Sequence, residues 1–262
     1  IFLFVSIFAS CTVAPRISVN MPDNNQAIDD GKIFATAFQQ KAAEYRALCY
    51  QAYNIARLRV DEFSQLKTQK PKAIMTDIDE TVLNNSPYQA HQLLIGKDYD
   101  DVSWKNWTDR GIADTIPGAL SFFQYAASKG ITIFYVTNRD ENERVATLRN
   151  LKQFNFPNAD NEHLLLYTTA STKEPRRNFI KENHTIIMYV GDNANDLSMR
   201  FEKKNPDDRM KVADDYSADF GKNFIVLPNP VYGDWESSLY HFNYKLTPAQ
   251  KDSVIRSVLS SY

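Results

Sequence analysis

The pattern of apolar and polar positions changes character at Pro71. Before it, from about residue 31 to residue 67, Phe34, Phe38, Tyr45, Leu48, Ala52, Ile55, Phe63 and Leu66 recur at helical spacing. The simplest reading is one long helix, or two in line, closed by Pro71. After it, short apolar runs at 73–76, 131–136, 164–167, 186–190 and 224–227 have strand length. Between them lie helix-period stretches at 119–128, following Pro117-Gly118, at 141–154, capped by Asp140, and at 176–182 and 195–204. Alternation of this kind predicts an α/β fold with a parallel sheet flanked by helices. The stretch from 82 to 116 stands apart, because Tyr88, Tyr99, Trp104 and Trp107 make it too long and too aromatic for a plain crossover. Loops of that length in compact domains usually cover or bind something. Residues 235–262 return to helical spacing, and are expected to pack on the N-terminal helix as a smaller helical layer.

Composition adds limits. With 262 residues, 43% of them hydrophobic and 13% aromatic, the chain can bury a substantial core. Its net charge of -2 provides no global positive field for a nucleic-acid polymer. Any phosphate is therefore bound locally. Cys11 and Cys49 are the only cysteines, so the fold does not rely on disulfides, and Cys49 sits in a helical pattern as a small hydrophobe.

Residues 1–10 are nearly all apolar but too short to span a bilayer, and fit the apolar end of a secretory signal. Phe8-Ala9-Ser10-Cys11 resembles a bacterial lipoprotein processing site, in which Cys11 would carry the lipid. An ordinary signal peptide and a buried N-terminal strand are the alternatives. Residues 1–11 are thus read as a signal remnant with its lipidation site. Residues 12–30, with Pro15, Pro22, Asp23, Asn24 and Asn25, are read as a tether reaching on the order of 20 to 25 Å.

The candidate chemistry lies where the predicted strands end. Asp77-Ile78-Asp79-Glu80-Thr81 follows the first strand, a costly place for two carboxylates and the usual place for a ligand in an open α/β sheet. The competing reading is a capped helix N-terminus. Thr137-Asn138-Arg139 follows the second strand, Lys173 lies beyond the third, and Gly191-Asp192-Asn193-Ala194-Asn195-Asp196 follows the fourth. Each alone has a local explanation as a turn residue, a solvated charge or a cap. Their joint placement at the strand ends of one sheet favours a single site, and leaves the cap reading only to Glu80 and Thr81. Residues 192–197 superficially suggest a calcium loop but have Ala194 at a ligand position and Leu197 where glycine is required, and His91, His163, His184 and His241 show no metal spacing and read as surface or loop residues.

This set resembles the haloacid dehalogenase (HAD) superfamily of phosphotransferases: a DxDxT motif, a Thr after the next strand, a distant Lys and a GDxxxD-type acidic motif. Within it, the run Asp77 to Tyr88, together with Tyr135-Val136-Thr137-Asn138-Arg139 and Leu227-Pro228-Asn229 through Tyr232-Gly233 to Trp235-Glu236, is similar to the class C acid phosphatases, the outer-membrane lipoprotein e family. The match runs from about residue 30 onward. It departs at Ala194 and Leu197, where the family more often has Leu and Phe; both read as packing positions that bear on substrate preference.

The resemblance implies a HAD-like Rossmannoid sheet with a smaller helical subdomain built from the N-terminal, C-terminal and inserted segments. Residues 31–262 would form one phosphatase domain, with 31–70 as the N-terminal helical segment and 82–116 as a substrate lid. It implies that Asp77 attacks phosphorus and that Asp79 moves protons. Thr137, Asn138 and Lys173 would hold the phosphoryl group. Mg²⁺ would be held by Asp77, Asp192 and the backbone oxygen of Asp79, with Asp196 orienting a metal-bound water. Trp104 and Tyr232 are the candidates to stack on a nucleobase or phenyl ring, while Trp107, Trp235 and Tyr88 read as structural. The expected protein is a Mg²⁺-dependent acid phosphatase for small phosphomonoesters, exported and lipid-anchored to a bacterial outer membrane, with a homodimer as a further expectation. A phosphotransferase using an alcohol acceptor, and a surface-anchored binding protein without turnover, are the alternatives.

Overall fold

The computed structural model describes residues 26–167 and 171–262. Cys11, the signal-like run, most of the expected tether and Thr169-Ala170 lie outside the described residues. Helix α1 (Gln26–Lys41) and helix α2 (Ala43–Ser64) open the described chain. The last residues assigned to the tether, 26–30, are therefore helical, and helix α2 stops at Ser64 well before Pro71. The expected apolar face is corrected as well. Tyr45, Cys49, Tyr53, Ala56, Val60 and Phe63 form the buried stripe of α2, whereas Phe34, Leu48 and Leu66 are exposed. Spacings of three and four select that stripe. The buried stripe runs through Cys49, Tyr53 and Ala56, one position C-terminal of the expected Leu48, Ala52 and Ile55.

Strand β1 (Lys72–Thr76) follows, then the insertion. It comprises β2 (Leu83–Asn84), helix α3 (Ser86–Leu94), helix α4 (Asp101–Thr108) and β3 (Asp114–Thr115), with β2 and β3 pairing antiparallel. The stretch read as an aromatic loop is thus two helices on a short two-stranded stem. Asp100 caps α4 by accepting from the Val102 and Ser103 amides at 3.1 and 3.0 Å. Helix α5 (Ala119–Ser128) begins after Gly118, whose φ of 89° favours glycine and where an added Cβ would press on the Tyr53 ring at 3.1 Å.

Strand β4 (Thr132–Val136), helix α6 (Arg144–Gln153) and strand β5 (Leu164–Leu165) come next, β5 being shorter than expected. Glu143 Oε2 accepts from the Asp140 amide at 2.7 Å, so Asp140 opens a 3₁₀ turn that leads into α6. Helix α7 (Glu174–Asn183) and strand β6 (Thr185–Gly191) lead to helix α8 (Ala194–Leu197). The single helix expected over 195–204 is broken: α8 ends at Ser198, a 3₁₀ turn covers Met199–Phe201, and helix α9 (Pro206–Asp215) restarts at a proline with Asn205 as its cap. Strand β7 (Phe224–Val226) and helices α10 (Asp234–Leu239) and α11 (Pro248–Ser257) complete the chain.

Among the described residues, five strands form one parallel sheet in the order β5-β4-β1-β6-β7. Strand β1 sits at the centre, with successive connections leaving it to opposite sides, so a crevice opens beyond its carboxyl end. Side-chain alternation sends Ile74 to one face, into a core with Tyr53, Phe122, Phe123 and Val60, and Ala73 and Met75 to the other, with Phe134, Val136 and Ile180. Each fully buried aliphatic or aromatic side chain there contributes roughly 1.5 to 3 kcal/mol of transfer free energy. The expected helical layer is present: α1 packs on α3 and on α11. Lys32 of α1 reaches Asp98 of the insertion at 3.5 Å and Glu236 of α10 at 3.6 Å, joining its three segments. Among the described residues, no helix is long and apolar enough to cross a membrane.

Candidate active site

Three strand ends deliver the acidic and hydroxyl groups to one crevice. The Asp77 amide donates to Val190 O at 2.9 Å and the Thr137 amide to Leu165 O at 3.1 Å, so the ladders continue one residue past β1 and β4 before the chain turns away. Asp192 follows β6 directly, and Lys173 immediately precedes α7. Asp77, Lys173, Asn138, Trp104 and Tyr232 all line one cavity of about 600 Å³. The sequence-level candidates at the four strand ends are therefore brought together.

Lys173 is the hub of this cluster. Its buried ammonium lies 2.6 Å from Asp77 Oδ1 and 2.7 Å from Asp196 Oδ1. Burial works against that charge, but the Asp196 and Asp77 carboxylates outweigh it and raise its pKa. Burial also pushes the Asp77 carboxyl up to about 7; Lys173 opposes this, while Asp196 and Asp79 add to it. Asp192 is driven well above the usual carboxylate range by burial and by Asp196 and Asp77. It accepts hydrogen bonds from Thr81 Oγ1 at 3.1 Å and Asn229 Nδ2 at 2.8 Å, neither of which carries charge.

Three carboxylates thus share one ammonium in a desolvated place, an excess of negative charge that calls for a cation. Asp77, Asp192 and Asp196 can each place one oxygen within 4.8 Å of the others. The donors are all oxygens, with no Cys or His among them, which fits a hard divalent ion. The Asp79 carboxylate is not part of this triad; it faces Arg139. Gly191 makes the arrangement sterically feasible, since a Cβ there would lie 2.4 Å from the Asp196 side chain. Asp196 is aimed by its own turn: its Oδ2 accepts from the Asn193 amide at 3.0 Å.

The stretch after Asp77 departs from the cap reading of Glu80 and Thr81. Glu80 has φ of 54°, is fully buried, and accepts from the Asn85 amide at 2.9 Å and from the Tyr232 hydroxyl. Burial, with the Asp79 charge beside it, pushes the Glu80 carboxyl up to about 8. Thr81 is tied to Asp192, and its carbonyl accepts from Tyr53 Oη at 2.6 Å, so helix α2 braces the loop from below. A non-glycine residue held in the left-handed region inside a site is strain that the surrounding bonds maintain.

Arg139, quoted in the Thr137-Asn138-Arg139 run without a role, is the main residue that reading missed. Its Nη2 donates to Asp79 Oδ1 at 2.7 Å, its Nε reaches both Asp79 oxygens at 3.2 Å, and its Nη1 donates to Thr147 Oγ1 at 3.0 Å. Thr137 Oγ1 lies 3.4 Å from Asp79 Oδ2, and Arg176 Nη2 donates to Asn138 Oδ1 at 2.7 Å, leaving the Asn138 NH₂ group free of that bond. An arginine two residues after a strand-end threonine was the available signal. Its partner could not be read from it.

The aromatic wall belongs to the insertion. Trp104 packs edge-on to Tyr88 with centroids 5.2 Å apart, and the Arg139 guanidinium lies 5.8 Å from its ring. Tyr232 faces the same cavity, but its hydroxyl is committed to Glu80. Trp235 Nε1 donates to the carbonyls of Asn229 and Tyr232, which shapes the loop carrying Tyr232.

With this geometry in hand, comparison with known proteins decides the family. The family described as HAD superfamily, subfamily IIIB (acid phosphatase) matches residues 20–235. The chain belongs to that family. Acid phosphatase 1 of Solanum lycopersicum is 31% identical over 129 residues, 46% of this chain and 50% of its own length. The stem 31 kDa glycoprotein of Glycine max is 26% identical over 142 residues, 49% of this chain and 56% of its own. This chain thus spans about half the length of the curated relatives it matches. Among solved structures, the class C acid phosphatase from Bacillus anthracis superposes with a TM-score of 0.86 at 40% identity, over 90% of this chain and 99% of that one. The same enzyme with tungstate bound gives 0.86 at 39%, over 90% and 98%. The expected resemblance and fold are borne out.

Proposed function

We propose that this acid-phosphatase family member hydrolyses small phosphomonoesters, including aryl phosphates and nucleoside monophosphates, through an aspartyl-phosphate, an acyl phosphate formed on Asp77. The observation that carries the reading is the Lys173 ammonium bonded to Asp77 and Asp196 beside Asp192, at the carboxyl ends of β1 and β6. A carboxylate attacks a phosphate dianion only where positive charge lowers their repulsion. Lys173 is one source; Mg²⁺ held by Asp77, Asp192 and the backbone oxygen of Asp79, near Asp196, would supply the rest and would polarise the phosphoryl group. The solved Bacillus anthracis relative has tungstate bound, a tetrahedral oxyanion like phosphate, which is in keeping with phosphoryl chemistry in this chain.

In the first step an Asp77 oxygen forms a bond to phosphorus as the bond to the leaving oxygen breaks, and Asp79 donates a proton to that oxygen. In the second, water attacks the phosphorus, Asp79 accepts its proton, and phosphate departs with Asp77 restored. Asp79 thus carries the proton in the first step and receives one in the second, and Arg139 fixes the direction of its carboxylate for both. Thr137, Lys173 and the Asn138 amide would hold phosphoryl oxygens, and Trp104 with the Tyr232 ring would flank a planar leaving group. Asp77→Asn is the test: it should abolish metal-dependent release of phosphate from 4-nitrophenyl phosphate, and retention of most of that activity would overturn the assignment. Anchoring through Cys11 rests on Phe8-Ala9-Ser10-Cys11 alone; globomycin should block maturation of the full-length precursor if Cys11 is lipidated.

A further inference from the structure

The proton-transferring carboxylate is clamped from two sides, and only one clamp is Arg139. On the other, Asn85 Nδ2 donates to Asp79 Oδ1 at 2.8 Å and approaches Glu80 Oε2 at 3.4 Å. Asn85 is fully buried, and its Oδ1 accepts from Trp107 Nε1 at 2.8 Å. An indole nitrogen can only donate, so Trp107 dictates which end of the Asn85 amide faces the carboxylates. With the amide reversed, its oxygen would confront Asp79 and Glu80 while the indole N–H lost its acceptor.

We infer that Asn85 is a positioning residue for Asp79, oriented by the Trp107 indole, so that helix α4 of the insertion sets the aim of the proton-transferring group. The same helix carries Trp104 in the cavity wall three residues earlier. It is fixed to the body by Lys105 to Asp140 at 2.7 Å and by Thr108 Oγ1 to Glu143 at 2.8 Å. Substrate contact and aim of the proton donor therefore share one rigid element. The inference rests on Asp79 acting as the acid in the proposed function.

Leaving groups provide the test, because a poor alkoxide leaving group needs the proton and 4-nitrophenolate does not. The ratio of kcat/KM on 4-nitrophenyl phosphate to kcat/KM on glycerol 2-phosphate, which reads only the step that expels the leaving group and not the shared second step, is measured for the unaltered chain and for Asp79→Asn, Asn85→Ala and Trp107→Phe. Asp79→Asn should raise that ratio strongly. Asn85→Ala should raise it about tenfold, and Trp107→Phe, which keeps a ring and removes only the N–H, should raise it several-fold with little change in KM. A general loss of structure lowers both rates alike. If Asp79→Asn raises the ratio while neither Asn85→Ala nor Trp107→Phe does, the positioning role is wrong and the acid role stands. An unchanged ratio in Asp79→Asn removes the acid role, and the positioning role with it. Should Asn85→Ala not fold, Trp107→Phe alone decides.

Discussion

Lys173 Nζ touches Asp77 and Asp196 at once, at 2.6 and 2.7 Å, although Asp77 directly follows β1 and Asp196 lies in helix α8 beyond β6. Replacing it by Met leaves three buried carboxylates with no cation from the protein. Lys173→Met should lower kcat by about 100-fold or more, the scale of losing one stabilising charge from a preorganised site. Because the carboxylate triad is untouched, Mg²⁺ should still raise the melting temperature of the variant, and by more than it does for the unaltered chain. Steady-state kinetics with a thermal melt across a Mg²⁺ series reads both.

Gly191→Ala should damage the same cluster from behind. The new methyl would sit 2.4 Å from the Asp196 side chain, and Asp196 is held by its turn to the Asn193 amide. Overpacking of this kind costs about 1 to 3 kcal/mol. Denaturant unfolding should show that loss, and half-maximal activation should need more Mg²⁺. An alanine variant with unchanged metal dependence would place Asp196 outside the ion's influence.

Trp104→Ala should separate substrates. Aromatic stacking adds about 0.5 to 1.5 kcal/mol, or roughly 2- to 12-fold in binding. KM for a nucleoside monophosphate should rise by that factor, while KM for a small aliphatic phosphate stays close to its original value. Equal changes for both would mean that Trp104 only packs against Tyr88 and Tyr99.

His184 gives the fold a pH dependence of its own. Its ring packs on Phe134, with centroids 5.0 Å apart, and its Nδ1 is buried without a partner among the described residues. Burial lowers its pKa, the nearby His163 lowers it further, and Glu162 opposes them. The unfolded chain, with His near 6.5, then binds the proton first as pH falls. Stability should therefore drop from about pH 6.5 down to the folded pKa and level off below it as far as this group is concerned. His184→Leu should flatten that part of a melting-temperature profile measured between pH 7 and pH 5.

Parts of this site were legible because their signals are local. Asp77, Thr137 and Asp192 each follow an apolar run of strand length, and parallel strands deliver the residues after them to the same edge of a sheet. Asp140 was readable as a helix start, because a cap acts within a few residues. Glu80 and Thr81 were misread for the same reason: a cap was the nearest local explanation, while their partners, Tyr232 and Asp192, lie 152 and 111 residues away. The aromatic insertion was recognised by composition, but its two helices and its Trp107–Asn85 bond were not.

The sequence by itself determined the five strands of the main sheet, and the group of acids and lysine that meets beyond their ends. These follow from periodicity and from chemistry confined to short motifs. Tertiary structure alone decided that Asp79 faces Arg139 and Asn85 instead of the Asp77–Asp192–Asp196 triad, and that Lys173 bridges two acids. A hydrogen-bonding side chain meets its distant partner only after the sheet, the helices and the insertion have packed, and no spacing along the chain encodes the direction in which it will then point.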